Sequence, residues 1–211
     1  MKLKFIFTIS IILLWVISNA QTTDSVEVKS SYGSKIGEVQ LLMDLDHIDF
    51  YKVYFKRNKF PTSYLLLTTK EYWNGQVKKV DTLLTVERAR EHLKINESDS
   101  VSTLSLITKP HNDSVLFSFN FLGINLKRTY RRMNSDFYSL RDGIMSFDRF
   151  RKTPVDKTVP LFVYSMPYQD PNYPDMLFYC ALGADGVPPD KWWEKYKVKH
   201  YIVVEMKIVT K

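Results

Sequence analysis

Hydrophobic positions along this chain recur mostly with the two-residue period of a half-buried strand, and in two places with a helical period. Residues 36–43 and 47–55 read as strands. In the second, His47, Asp49, Tyr51 and Val53 share one face while Ile48 and Phe50 take the other. Residues 64–73 and 76–82 flank Asn74-Gly75, a pair suited to the positive φ angles of a two-residue hairpin turn. That register sets Tyr72 opposite Val77 and Glu71 opposite Lys78. Residues 101–108 and 114–122 form another hairpin across 109–113, with Val115, Phe117, Phe119 and Phe121 on one face as a central part of the core. Further strands are expected around 129–133 or 137–140, and at 144–150, 158–165, 176–182 and 201–209. In the last of these, Ile202, Val204, Met206 and Ile208 alternate on one side.

The period changes at 85–95, where Val86, Ala89 and Leu93 line one side of a short helix. It changes again at 190–198, where Asp190 stands at a capping position and Trp192 and Tyr196 stack at i, i+4. Nine or ten strands and two short helices, joined mostly by hairpin-length connections, predict an α+β fold. Its architecture is mainly antiparallel β-sheet with two short helices covering part of one sheet, in a single compact domain over residues 21–211.

The first twenty residues stand apart. Lys2 and Lys4 precede an apolar run over 5–17, and Ser18-Asn19-Ala20 supplies the small residues of a cleavage site before Gln21. This is the three-part pattern of a secretory signal peptide, and its apolar run is too short to span a bilayer. The expectation is a protein exported to the periplasm or the cell surface, with no transmembrane anchor. Removal of Lys2 and Lys4 lowers the formal net charge from +7 to +5. For an exported chain that excess points to solubility, or to attraction to an anionic surface or an acidic protein partner, and nucleic acid is excluded as a partner. Cys180 is the only cysteine, so no internal disulfide forms; its apolar setting, residues 176–182, predicts a buried thiol.

Candidate chemistry is sparse. Asp44, Asp46, His47 and Asp49 could ligate a divalent ion, but strand alternation would point them to opposite faces, and a solvated turn is the favoured reading. His47, His92, His111 and His200 are far apart in sequence, and neither a Gly-x-Ser-x-Gly elbow nor a His-Glu-x-x-His pair is present. No catalytic, cofactor or metal residue is therefore assigned, and no cofactor is expected. The main charge feature is the basic stretch 127–152, from which Arg128, Arg131, Arg132, Arg149 and Arg151 are taken as a partner-binding patch. Tyr168 and Tyr173, on a proline-rich loop over 166–175, are added as aromatic anchors.

Asp24-Ser25-Val26, Asp81-Thr82-Leu83, Asp99-Ser100-Val101 and Asp113-Ser114-Val115 share a three-residue pattern. It resembles the acceptor motif of general O-glycosylation in some bacteria, which again implies export. The leading expectation is a non-catalytic bacterial interaction protein, for example an immunity protein that neutralises a toxin. The alternatives are a carrier of a small ligand, glycan or lipid, with an aromatic-lined pocket, and then a hydrolase with two converging carboxylates.

Overall fold

The computed structural model describes residues 25–56, 63–85, 94–95, 101–144, 148–169, 172–173, 175–179 and 187–210. The segment 1–20 expected to be a signal peptide, most of the helix expected at 85–95, and Cys180 lie outside the described residues. In chain order the elements are β1 (Ser25–Tyr32), α1 (Gly37–Leu45), β2 (Asp49–Lys56), β3 (Ser63–Trp73), β4 (Gln76–Leu84) and β5 (Lys94–Ile95). They continue with β6 (Val101–His111), β7 (Ser114–Phe121), β8 (Ile124–Arg131), β9 (Ser139–Asp142), β10 (Arg151–Pro154) and β11 (Thr158–Ser165). The two-residue strands β12 (Tyr168–Gln169) and β13 (Leu177–Phe178) pair with each other. A single 3-10 turn (Pro189–Lys191), α2 (Trp192–Tyr196) and β14 (His200–Thr210) complete the described chain. The fold is α+β and mainly antiparallel, with two short helices.

Two sheets face each other. Sheet A has the order β10-β1-β2-β6-β7-β8, and sheet B the order β4-β3-β14-β11-β9 with β5 added beside β3. Alternation in each strand sends one set of side chains into a shared core. Val115, Phe117, Phe119 and Phe121 of β7 are buried as their spacing predicts. Phe117 packs edge-on against Tyr164 of β11, Tyr51 meets Phe162, and the Thr69 and Tyr130 hydroxyls bond across the sheets at 2.6 Å. Each side chain fully removed from water here contributes about 1.5–3 kcal/mol before entropy is subtracted.

Sheet B is covered on its outer side as well. Tyr201 and Val203 of β14 point away from the core and pack with Tyr72, Val163, Trp192 and Val198. Tyr72 and Tyr201 stack at 4.7 Å, and the Trp192 ring lies 5.2 Å from Tyr201. The polar edges of this layer are satisfied too: Trp192 Nε1 donates to the Val187 carbonyl and the Tyr201 hydroxyl to that of Pro189. Residues 200–204 are buried on both faces for this reason, where alternation alone predicted a half-buried strand.

Several sequence expectations need correction. Residues 37–45 are helical, because Glu38, Gln40, Leu41, Leu42 and Met43 are helix formers with no branch at Cβ and the Gln40 side chain anchors the first turn by accepting from Ser34 N–H. In the Asn74-Gly75 hairpin both turn residues have positive φ and Tyr72 faces Val77, but a bulge after Glu71 sets that residue opposite Lys79, not Lys78. The second hairpin turns tightly at Asn112-Asp113, so β6 runs on through His111. Among the described residues of 144–150 there is no strand; β9 and β10 flank that segment instead. Lys94–Ile95, expected at a helix end, pairs with β3. Asp190 makes no side-chain capping bond, and Trp192 and Tyr196 do not stack on each other: Trp192 turns onto Tyr201 and Tyr196 onto Tyr168.

Candidate functional site

The outer face of sheet A is built from the residues that alternate with the core. Val28, Val53, Leu104 and Val115 point inward, so their neighbours Lys29, Lys52, Thr103 and Leu116 point out. Directly opposed residues share a face, which makes the surface readable row by row. One row runs Lys152, Glu27, Lys56, Val101; the next Lys29, Tyr54, Thr103; the next Ser31, Lys52, Ser105, Asn120, Asn125. Beyond these lie the rows Phe50, Ile107, Ser118, Lys127, then Lys109, Leu116, Thr129, then His111, Ser114, Arg131.

The charge of this face is strongly one-signed. Lys29, Lys52, Lys56, Lys109, Lys127, Arg131 and Lys152 project from it, against the single carboxylate of Glu27. Glu27 pairs with Lys56 at 3.3 Å, and Asp46, reaching in from the end of α1, pairs with Lys109 at 2.6 Å. That contact holds the Asp46 carboxyl below its ordinary range. Aromatic rings are interleaved with the cations. Lys29 Nζ lies over Tyr54 and Phe150, Lys56 over Phe150, and Lys52 over Phe50, all within 6 Å. Small hydroxyl and amide side chains fill the middle rows, leaving a low surface with lysines that can reach a partner.

The five arginines chosen from the sequence do not come together. β8 and β10 are opposite edges of sheet A, five strand spacings or roughly 24 Å apart. Arg149 and Arg151 are exposed at the β10 edge, and Arg131 is exposed at the β8 edge. Arg128 shares the inward face of Tyr130 and is half-buried. Arg132 is buried: its guanidinium donates to the carbonyls of Asn112 and Ser135 and lies over the Tyr138 ring. Its role is to pin the loop after β8. Tyr168 and Tyr173 do approach each other, both against Phe178, but on a separate two-strand ribbon; Tyr168 is half-buried against Tyr196 and Tyr173 is exposed. The lysines of the basic face were missed because they are scattered from position 29 to 152. Their common signal, a cation between two inward residues as in Tyr51-Lys52-Val53, acquires meaning only once strand order is known.

Two polar constellations lie elsewhere. A cleft of about 380 Å³ at the edge of the sandwich is lined by Tyr32, Tyr51, Ser139, Arg141 and Asp142. Beneath it the buried Asp49 carboxylate accepts from the Tyr32 hydroxyl at 3.1 Å and the Leu140 N–H at 2.9 Å, with Thr108 at 3.4 Å. Burial pushes the Asp49 carboxyl up despite these bonds. Asp49 thus ties β2 to β9, and Asp142 is the one carboxylate among the lining residues. Asp44 lies in α1, Asp46 ends it, and His47 has a φ of 52°, so the four candidate ligands diverge. Among the described residues no group of three or more acidic, histidine or cysteine side chains is arranged to hold a metal.

The second constellation centres on His200 and is reached from the same β9 end through Tyr138. The Tyr138 hydroxyl is 2.6 Å from His200 Nδ1, and Glu71 Oε1 lies 3.8 Å from His200 Nε2 while accepting from Trp73 Nε1. Burial raises the Glu71 carboxyl, but the interactions with His200 and Trp73 outweigh it and hold the group below its ordinary value. His200 is fully buried. The network reads as a polar plug that orders the loop carrying Arg132 and Tyr138.

No family model matches the chain, and neither a curated protein nor a solved structure is significantly similar to it.

Proposed function

We propose that this chain is an exported, non-catalytic interaction protein whose working surface is the outer face of sheet A, and that its partner is an acidic protein. The observation that carries the reading is the charge of that face, seven cationic side chains against Glu27 on the sheet and Asp46 reaching in from α1, on a sheet with no covering layer among the described elements. Such a field accelerates encounter with an acidic surface and selects against basic ones, while Tyr54 and Phe150 supply apolar contact between the charges. Neutralisation of a toxin in the periplasm, by occluding its active surface, is one concrete form of this role.

The carrier alternative is weaker because the phenylalanines that would line a pocket are spent on packing: Phe117 meets Tyr130 and Tyr164, and Phe121 meets Phe55. The test is capture from envelope fractions after mild cross-linking, comparing the wild type with a Lys29→Glu, Lys56→Glu, Lys152→Glu variant. Loss of a stoichiometric acidic partner in the variant is the expected result. Equal recovery from both proteins would remove the face from the account.

A further inference from the structure

Helix α1 presents to solvent the side chains a helix ordinarily hides. Ile36, Leu41, Leu42 and Leu45 are 60%, 61%, 65% and 69% exposed, whereas Met43 is the one buried residue of the helix. Several large apolar side chains exposed on one short helix of a folded protein mark a contact site, because covering each of them is worth on the order of 1.5–3 kcal/mol. The helix is not loosely attached. Ile48 N–H bonds to the Met43 carbonyl, and Lys109 bonds to Asp46, so its C-terminal end is tied to sheet A at the Lys109 row, next to the row that holds Phe50 and Ile107. Ile107, in the row beyond Lys109, is itself 40% exposed.

Charge identifies the occupant. Beyond the Asp46–Lys109 pair, which is satisfied within the chain, the helix carries Glu38 and Asp44, whereas the adjoining sheet rows carry Lys52 and Lys127. A surface with an acidic apolar ridge beside a basic apolar shelf is complementary to itself under a two-fold rotation. We propose that two copies of this chain form an isologous dimer in which α1 of each lies across the Phe50–Ile107 row of the other. An anionic bilayer fits less well, because the helix carboxylates would be pressed against its headgroups. The dimer does not rest on the acidic-partner reading: Lys29 and Lys56 lie toward the far end of the face and stay open in it.

The test is sedimentation velocity of the purified protein across about 1–100 µM, a range that brackets micromolar association. A monomer–dimer equilibrium is expected, with Leu42→Lys plus Leu45→Lys monomeric throughout and its circular dichroism unchanged. Glu38→Lys should weaken the dimer about tenfold, and Lys127→Glu in the same chain should restore it, a rescue that general apolar stickiness would not produce. A wild-type protein that stays monomeric throughout, or a dimer indifferent to the leucine pair, overturns the proposal. So does a monomer that floats with anionic phosphatidylglycerol vesicles. Partner capture by Lys29, Lys56 and Lys152 is read separately, so either idea can fail alone.

Discussion

The two sheets share one core but treat their outer sides in opposite ways. Behind sheet B, Trp192, Val198 and the rings of Tyr72 and Tyr201 form a second apolar cluster, and the hydroxyl and indole groups at its rim find backbone carbonyls. Outside sheet A the corresponding positions are lysine, serine, threonine and asparagine with a few aromatic rings, and among the described residues no element lies over them. The same α+β scaffold therefore has a stabilised back and an open front. A sheet tolerates one solvated face only if the other face and its edges hold it, and for sheet A that other face is the shared core, where Val28, Val53, Phe117 and Phe119 are buried.

The largest effect should come from dismantling the back. Trp192→Ala removes a side chain 1% exposed and leaves Tyr201 with Tyr72 as its remaining ring partner, so a loss of about 3–5 kcal/mol is expected in urea unfolding. Tyr54→Ala, on the open front, should cost well under half of that. If the two variants unfold together, the contrast between the sheets is wrong.

Gly75→Ala tests the same layer from the hairpin side. Gly75 has a φ of 77°, and an added Cβ would lie 2.7 Å from Trp193 Cβ, so the turn and its packing against α2 must both give way. More than about 1 kcal/mol should be lost, again by urea unfolding, because the alanine is strained in both respects. Full stability in this variant would mean that the hairpin and α2 are not packed as described.

The two buried carboxylates should give opposite pH behaviour. The Asp49 carboxyl is raised, so the folded state holds its proton more tightly than the unfolded chain. Its contribution is fully present below the ordinary value of 3.8 and is lost as pH rises through the folded value. Glu71 is lowered, so its contribution is present above 4.5 and is lost as pH falls through the folded value. Stability measured against pH should show Asp49→Asn losing the decline on the alkaline side of the carboxylate range. Glu71→Gln should lose the decline on the acid side. Identical profiles for wild type and both variants would contradict these roles.

The architecture was legible in the sequence because alternation is a local signal. β7, β11 and the Asn74-Gly75 turn followed from spacing and turn chemistry alone, and Thr158–Ser165 forms a strand over the span expected of it. The failures have physical causes. Residues 37–45 carry apolar side chains on several sides of a helix that buries only Met43, so no helical stripe was visible. The bulge after Glu71 moves its partner by one residue, and nothing in the sequence announces it. The site was harder still. A run of arginines close in sequence falls on two sheet edges and into one buried loop, while lysines up to 123 positions apart share a face. Surface chemistry in a sheet depends on strand order, and strand order is a non-local property.

The smallest effect on stability should come from the lysines themselves. Lys29→Glu, Lys56→Glu and Lys152→Glu lie on a solvated face, and each should change unfolding free energy by no more than about 0.5 kcal/mol. Their combined effect on capture is therefore the most direct test of the central claim. The measurement is quantitative recovery of cross-linked partners from envelope fractions by the wild type, by this triple variant and by Tyr173→Ser, which alters the exposed ring on the other side of the molecule. The account predicts that a stoichiometric acidic partner is lost with the triple variant and kept with Tyr173→Ser. Recovery unchanged in the triple variant, or lost only with Tyr173→Ser, would move the working surface away from sheet A.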